Sequence, residues 1–246
     1  MLKKLYAKSE IWFAVAWITA YVVLASTGDN ISADLGIDKI VTLPILIALS
    51  AILYFFVRKN GLTEKYGFCK PRLPAAKMLY YIPLLVLLTA NLWYGVALNQ
   101  SPLETVLYIL AMFCVGFLEE LIFRGLLFQA MAKDGVKSAI LVSSITFGIG
   151  HIVNLINGSG AQLLPNLLQV MYAMAVGFAF VMIYCKTKSL MPCIIVHSVF
   201  NGLSAFANEA VMTPRRQIIS GVLLTVIAGG YALYLALAVK EENAKE

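Results

Sequence analysis

The sequence predicts an all-helical bundle that crosses a membrane about eight times, and three observations carry that expectation. Of 246 residues, 61% are hydrophobic and only 13% are charged, against roughly 25% charged in an ordinary soluble domain. The mean hydropathy is +0.83, and 19 basic with 13 acidic residues are too few to cover a soluble globule of this size. Apolar runs close to the roughly 20 residues that a helix needs to cross a hydrocarbon core alternate with short polar connectors along the chain. A secreted disulfide scaffold, a disordered chain and a nucleic-acid binder are excluded. The net charge of +6 lies in the connectors, where membrane orientation accounts for it. Cys69, Cys114, Cys185 and Cys193 form no CxxC pair and read as small core residues, with no disulfide framework or soft metal site.

The runs fall near 11–27, 40–57, 78–98, 103–131, 138–156, 166–185, 189–208 and 217–239. The first follows Lys3, Lys4 and Lys8 and closes at Thr27-Gly28-Asp29-Asn30. It resembles a signal peptide loosely, but the charge alternation works with this helix retained. The second ends in a basic stretch from Arg58 to Lys77, and the third at Asn99-Gln100-Ser101-Pro102. Pro44 and Pro83 lie inside these two runs, where membrane helices tolerate proline as a kink. Asn157-Gly158-Ser159-Gly160 closes the fifth run and Thr213-Pro214 opens the eighth, while Pro192 sits in the first turn of the seventh, an ordinary place for it. Trp12, Trp17, Trp93 and Tyr94 are candidate interface anchors. Ala173-x-x-x-Gly177 and Ser198-x-x-x-Gly202 predict close helix contacts.

Eight spans put both termini on one side. That side collects 15 Lys and Arg residues, and the other holds only Lys39, Arg215 and Arg216. The split places both termini in the cytoplasm. The basic 58–77 connector is a topology signal that could also touch anionic lipid. No internal repeat, low-complexity segment or second soluble domain is visible, so residues 1–246 read as one transmembrane domain.

One run carries charges that lipid should exclude. Glu119, Glu120 and Arg124 lie inside the fourth span, each at a cost of about 2.5–3.5 kcal/mol at a helix centre. Both histidines, His151 and His197, are intramembrane as well. Glu120 and Arg124 stand four apart with the acid N-terminal, the favourable order for an ion pair. Glu119 is rotated from that face by about 100°, so it is free to point into a cavity and act as a general base. His197 and Asn201 are also four apart and can reach a single point. Counting along the helices puts Glu119, His151 and His197 roughly 17, 20 and 12 Å from the cytoplasmic end, in one layer. Entry is then expected from the cytoplasmic half, because His197 lies only about two turns inside its helix.

Glu119-Glu120-x-x-x-Arg124, Phe147-x-x-x-His151 and His197-x-x-x-Asn201, in that order on three apolar helices, resemble the CPBP family. These are the CAAX-protease and bacteriocin-processing intramembrane proteases, also called the Abi family, similar to type II CAAX prenyl endopeptidases. The likeness covers a core at about 103–206 and departs from the pattern at no motif position. Accessory helices at 1–102 and 211–246 flank it, and the first three are unassignable by motif. The resemblance implies that Glu119 and His151 activate a water, that His197 and Asn201 stabilise the oxyanion, and that Arg124 partners Glu120. Phe147 is expected to be packing. The implied substrate is a membrane-associated or lipid-modified protein or peptide, prenylated in some members and bacteriocin-like in others. The implied location is the cell membrane, with lipids as partners and no nucleic acid.

Three alternatives stay open. The polar residues could be helix glue, the chain could be a bacteriocin-immunity or regulatory binding protein, or buried Glu and His could relay protons in a transporter. Zinc is a further option, with Glu119, His151 and His197 as three ligands. The sequence lacks the HExxH signature, and a mechanism with no obligatory metal is favoured.

Overall fold

The computed structural model describes residues 2–157 and 160–239. Gly158, Ser159, Lys240 and Lys245, which entered the connector and charge readings, lie outside the described residues. A short helix α1 (Leu2–Lys8) leads into α2 (Glu10–Asp34), where the Ser9 hydroxyl caps the start by accepting from the Trp12 N–H at 3.2 Å. α3 (Thr42–Lys59) follows and ends on Arg58 and Lys59, cations that suit the negative end of a helix dipole.

The third span departs from a continuous helix. A 3₁₀ segment Ala75–Tyr81 passes through left-handed residues Leu79, Tyr80 and Tyr81, with φ of 50°, 52° and 58°. α4 (Ile82–Leu88) then restarts the helix with Pro83 in its first turn, and a 3₁₀ turn Ala90–Leu92 ends it. Proline has no N–H to give and crowds the preceding turn, so here it opens a helix and does not kink one. Pro44 likewise falls in the first turn of α3. Residues 93–98, expected to be helical, are not: Val96 forms an isolated antiparallel bridge with Ala207.

α5 (Pro102–Glu120) starts with a capping box between Ser101 and Glu104. It runs on as a π-helix, Leu121–Phe128, and then as α6 (Gln129–Ala132). α7 (Val136–Gly150) with its 3₁₀ extension His151–Leu155, α8 (Leu163–Thr187), α9 (Met191–Leu203) with Ser204–Phe206, and α10 (Pro214–Ala238) complete the chain. Among the described residues seven helical stretches are long and apolar enough to cross a membrane. Met191–Phe206 is a shorter apolar stretch in the place of the expected seventh of eight spans.

The fourth span is central. Between them, α5 and the π segment pack against α2, α3, α7, α8 and α9. In lipid the hydrophobic effect does not drive helices together, so small residues at close approaches matter most. A Cβ on Gly116 would stand 2.8 Å from the Ser198 Cα, and one on Gly177 would stand 3.1 Å from the Ser144 Cα. Both expected small-residue stripes are therefore contacts. Trp17, by contrast, is buried against Phe13 and anchors no interface, while Trp12 is exposed.

The two ends of the bundle are distinct. At one end Lys65 and Lys133 both reach Glu10 at 2.8 Å, and Lys65 also donates to the Tyr6 hydroxyl. There the Arg72 N–H donates to the Thr187 carbonyl and the Leu190 N–H to the Gly67 carbonyl. The N-terminal segment, the 60–74 connector and the turns near 133 and 188 thus meet. At the other end Lys39 pairs with Asp29 at 2.8 Å, Gln100 donates to Asp38 and Asn99 to the Ala207 carbonyl. The connectors group as alternate spans require.

Candidate active site

Glu120 and Arg124 form the expected ion pair, with Nη1 to Oε1 at 3.0 Å, and both side chains are fully buried. Arg124 lies over the Phe147 ring, with Cζ 4.0 Å from its centroid, and Phe180 stands at 5.6 Å. Aromatic faces suit a desolvated guanidinium. Gly177 leaves room for this packing, since a Cβ there would approach the Arg124 Nη2 to 3.3 Å. His197 donates from Nδ1 to the same Glu120 oxygen at 2.8 Å. Glu120 is therefore shared by a guanidinium and an imidazole in a dry core.

Glu119 faces the other way. Its Oε1 accepts a 2.6 Å hydrogen bond from the Tyr21 hydroxyl, while Oε2 stands 3.6 Å from His197 Nε2 with no hydrogen-bond partner among the described residues. A cavity of about 410 Å³ is lined by Tyr21, Glu119, Phe147, His151 and Asn201. A smaller one of about 60 Å³ adjoins it, shared by His151 and Asn201 and reaching His197. The four residues singled out by sequence therefore line two neighbouring spaces, with Phe147 common to both.

The position of His151 has a local cause. Ser143, Phe147 and His151 fall at intervals of four on one face of α7 and its extension. Ser143 donates to the Phe123 carbonyl in the π segment at 2.8 Å, and Phe147 meets Phe123 edge-on. The His151 Nδ1 bonds the Phe147 carbonyl at 3.0 Å. A carbonyl can only accept, so Nδ1 carries the proton and Nε2 is left with the lone pair. Asn166, almost fully buried, donates to the His151 carbonyl at 2.8 Å and so fixes the end of that helix.

Sequence reasoning missed three participants. Tyr21 sits among aromatic and aliphatic neighbours on α2, and its only distinguishing mark is a phenol in a span of that kind. Asn166 is a buried amide at the head of the sixth span, a signal that was available. The Asp29–Lys39 pair at the cavity rim is visible in sequence only as two connector charges.

The cavity lining extends from Glu119 to Asp29, Lys39, Asn157 and Ser204, at the end opposite α1. His197, near the N-terminal end of α9, packs its Nδ1 side against Glu120 and reaches the smaller cavity with the rest of its ring. The proposed zinc set is not assembled. Among the described residues no three His, Cys, Asp or Glu side chains are placed to hold a metal ion.

Fold and site together define a polytopic helical membrane protein with a carboxylate, two imidazoles and an amide around an intramembrane cavity. Residues 101–203 match the family model described as Type II CAAX prenyl endopeptidase Rce1-like, the group the three motifs resemble. No curated protein and no solved structure shows a significant match to the chain.

Proposed function

We propose that this protein is a membrane-embedded endopeptidase that hydrolyses a peptide bond in a membrane-associated or lipid-modified protein or peptide. The observation that carries this reading is the division of labour between adjacent carboxylates. Glu120 is paired with Arg124 and hydrogen-bonded by His197, while Glu119 faces a polar cavity shared with His151 and Asn201. Glu119 takes a proton from water, and the resulting hydroxide attacks the scissile carbonyl carbon. His151, with Nε2 unprotonated in the neutral ring, accepts that proton from Glu119 and delivers it to the leaving amine as the C–N bond breaks. His197, anchored to Glu120 through Nδ1, lies with the Asn201 amide where negative charge develops on the carbonyl oxygen. No step here is routed through a metal.

The test is cleavage of membrane-bound peptide probes, prenylated and unmodified, by purified protein. Glu119→Gln and His151→Ala are each expected to abolish cleavage while the protein stays folded. Cleavage by Glu119→Gln at the parent rate would sink the proposal and leave a binding role in its place.

A further inference from the structure

We infer that substrate reaches the site from the extracytoplasmic side, so that the segment to be cut lies on the outer face of a membrane-bound protein or peptide. The inference rests on the endopeptidase reading for what is cut, but the direction of entry stands on geometry and charge alone.

The geometry is one-sided. None of the residues lining the 410 Å³ cavity comes from the N-terminal segment, the 58–77 connector, the 133–137 turn or the 186–190 turn. Between the site and that end the chain is packed shut. Every residue from Glu120 to Phe128 is buried, and Phe13, Tyr66, Tyr184 and Leu190 fill the space around them. The 60–74 connector is tied down over this core through Tyr184, which donates to the Lys65 carbonyl at 3.0 Å, and through the Gly67–Leu190 bond. In the opposite direction the lining turns polar, with Ser26, Asp29, Lys39, Asn157 and Ser204 along it. Such a surface solvates an extended peptide and the water that hydrolysis consumes.

Charge assigns the two ends to the two sides. Among the described residues the sealed end carries 13 Lys and Arg residues and the polar end three. Basic connectors are retained in the cytoplasm, so the sealed end is cytoplasmic and the polar end faces out. A substrate delivered from the cytosol would have to pass the buried block around Arg124. One presented at the outer face meets the Asp29–Lys39 rim first and Glu119 beyond it.

The experiment combines labelling with cleavage. Single substitutions Ser26→Cys and Ser204→Cys at the rim, and Lys70→Cys in the basic connector, are probed in intact cells with a membrane-impermeant maleimide, above the labelling of the parent. Both rim positions should label in intact cells, and Lys70→Cys only after permeabilisation. Labelling of Lys70→Cys in intact cells with both rim sites protected would overturn the inference. So would rim sites that stay unlabelled even after permeabilisation. Separately, sealed proteoliposomes of defined orientation are given an unmodified lipid-anchored peptide on one face at a time. Cleavage only from the face bearing the rim is expected. Cleavage only from the face bearing the basic connector, or of a prenylated cytosolic-type probe alone from that face, overturns outer entry and leaves the protease reading intact. The expected labelling with no cleavage on either face would instead overturn the protease reading and keep the entrance.

Discussion

Glu119 and Glu120 are neighbours in the chain and occupy two different regions. Glu120 belongs to a dry block with a guanidinium and an imidazole, and two aromatic rings pack against those partners. Glu119 belongs to a cavity in which a phenol, a histidine and an asparagine share the wall. A rotation of about 100° between successive helical residues is enough to separate them. The comparison teaches that a buried charge can serve as packing or as chemistry, and that the surroundings decide which.

Substitution is the direct way to break the comparison. Glu119→Gln removes the reacting carboxylate and is expected to give complete loss of cleavage with unchanged thermal stability. Glu120→Gln and Arg124→Ala leave a buried charge without its partner and should cost about 3–5 kcal/mol of stability, read as a lowered melting temperature in detergent. If the two glutamate variants gave the same phenotype, the two regions would not be distinct.

Smaller changes sharpen it. Asn201→Ala should slow cleavage by about 10²–10³-fold, the scale for one oxyanion donor, with little effect on melting. Tyr21→Phe keeps the ring and removes the hydroxyl that holds Glu119. A hydrogen bond to a charged group is worth about 1.5 kcal/mol or more, so kcat is expected to fall by about tenfold. The smallest effect belongs to the basic end. There burial pushes the Lys65 ammonium down, but hydrogen bonds to Glu10 and Tyr6 outweigh it and hold its pKa above the ordinary lysine value. A group raised in the folded state stabilises fully below its unfolded pKa, and the contribution fades as pH rises through the folded one. Lys65→Met should therefore cost about 1 kcal/mol or less at neutral pH, and the gap from the parent should close in strongly alkaline buffer.

How much of this was legible in the sequence differs by region. Seven of the eight runs read from hydropathy coincide with helical stretches, because lipid leaves a spanning backbone few other choices. The third run failed at both ends for local reasons: left-handed residues before Pro83, and a connector that pairs with Ala207. The Glu120–Arg124 pair was legible because a spacing of four is a property of one helix. The bond from His197 to Glu120 joins residues 77 apart in sequence, and Tyr21 lies 98 residues from Glu119. Those contacts depend on how helices are arranged, which periodicity within each helix does not encode. The same limit applies to the entrance inferred above. Depth along each helix groups residues in a layer, yet says nothing about which side of that layer is filled.

The π-helical segment after Glu120 sets a further limit on how the chain can change. Its backbone bonds step five residues where an α-helix steps four, so Leu121–Phe128 holds a residue in excess. Removing one residue beyond Arg124 would relax the segment to ordinary helix, and everything after it would keep its bearing. Removing one between Glu120 and Arg124 would turn the guanidinium away from its carboxylate by about 100°. A length change of one residue is thus absorbed on one side of Arg124 and disruptive on the other. The ion pair is measured on a ruler of four, inside an element that counts in fives.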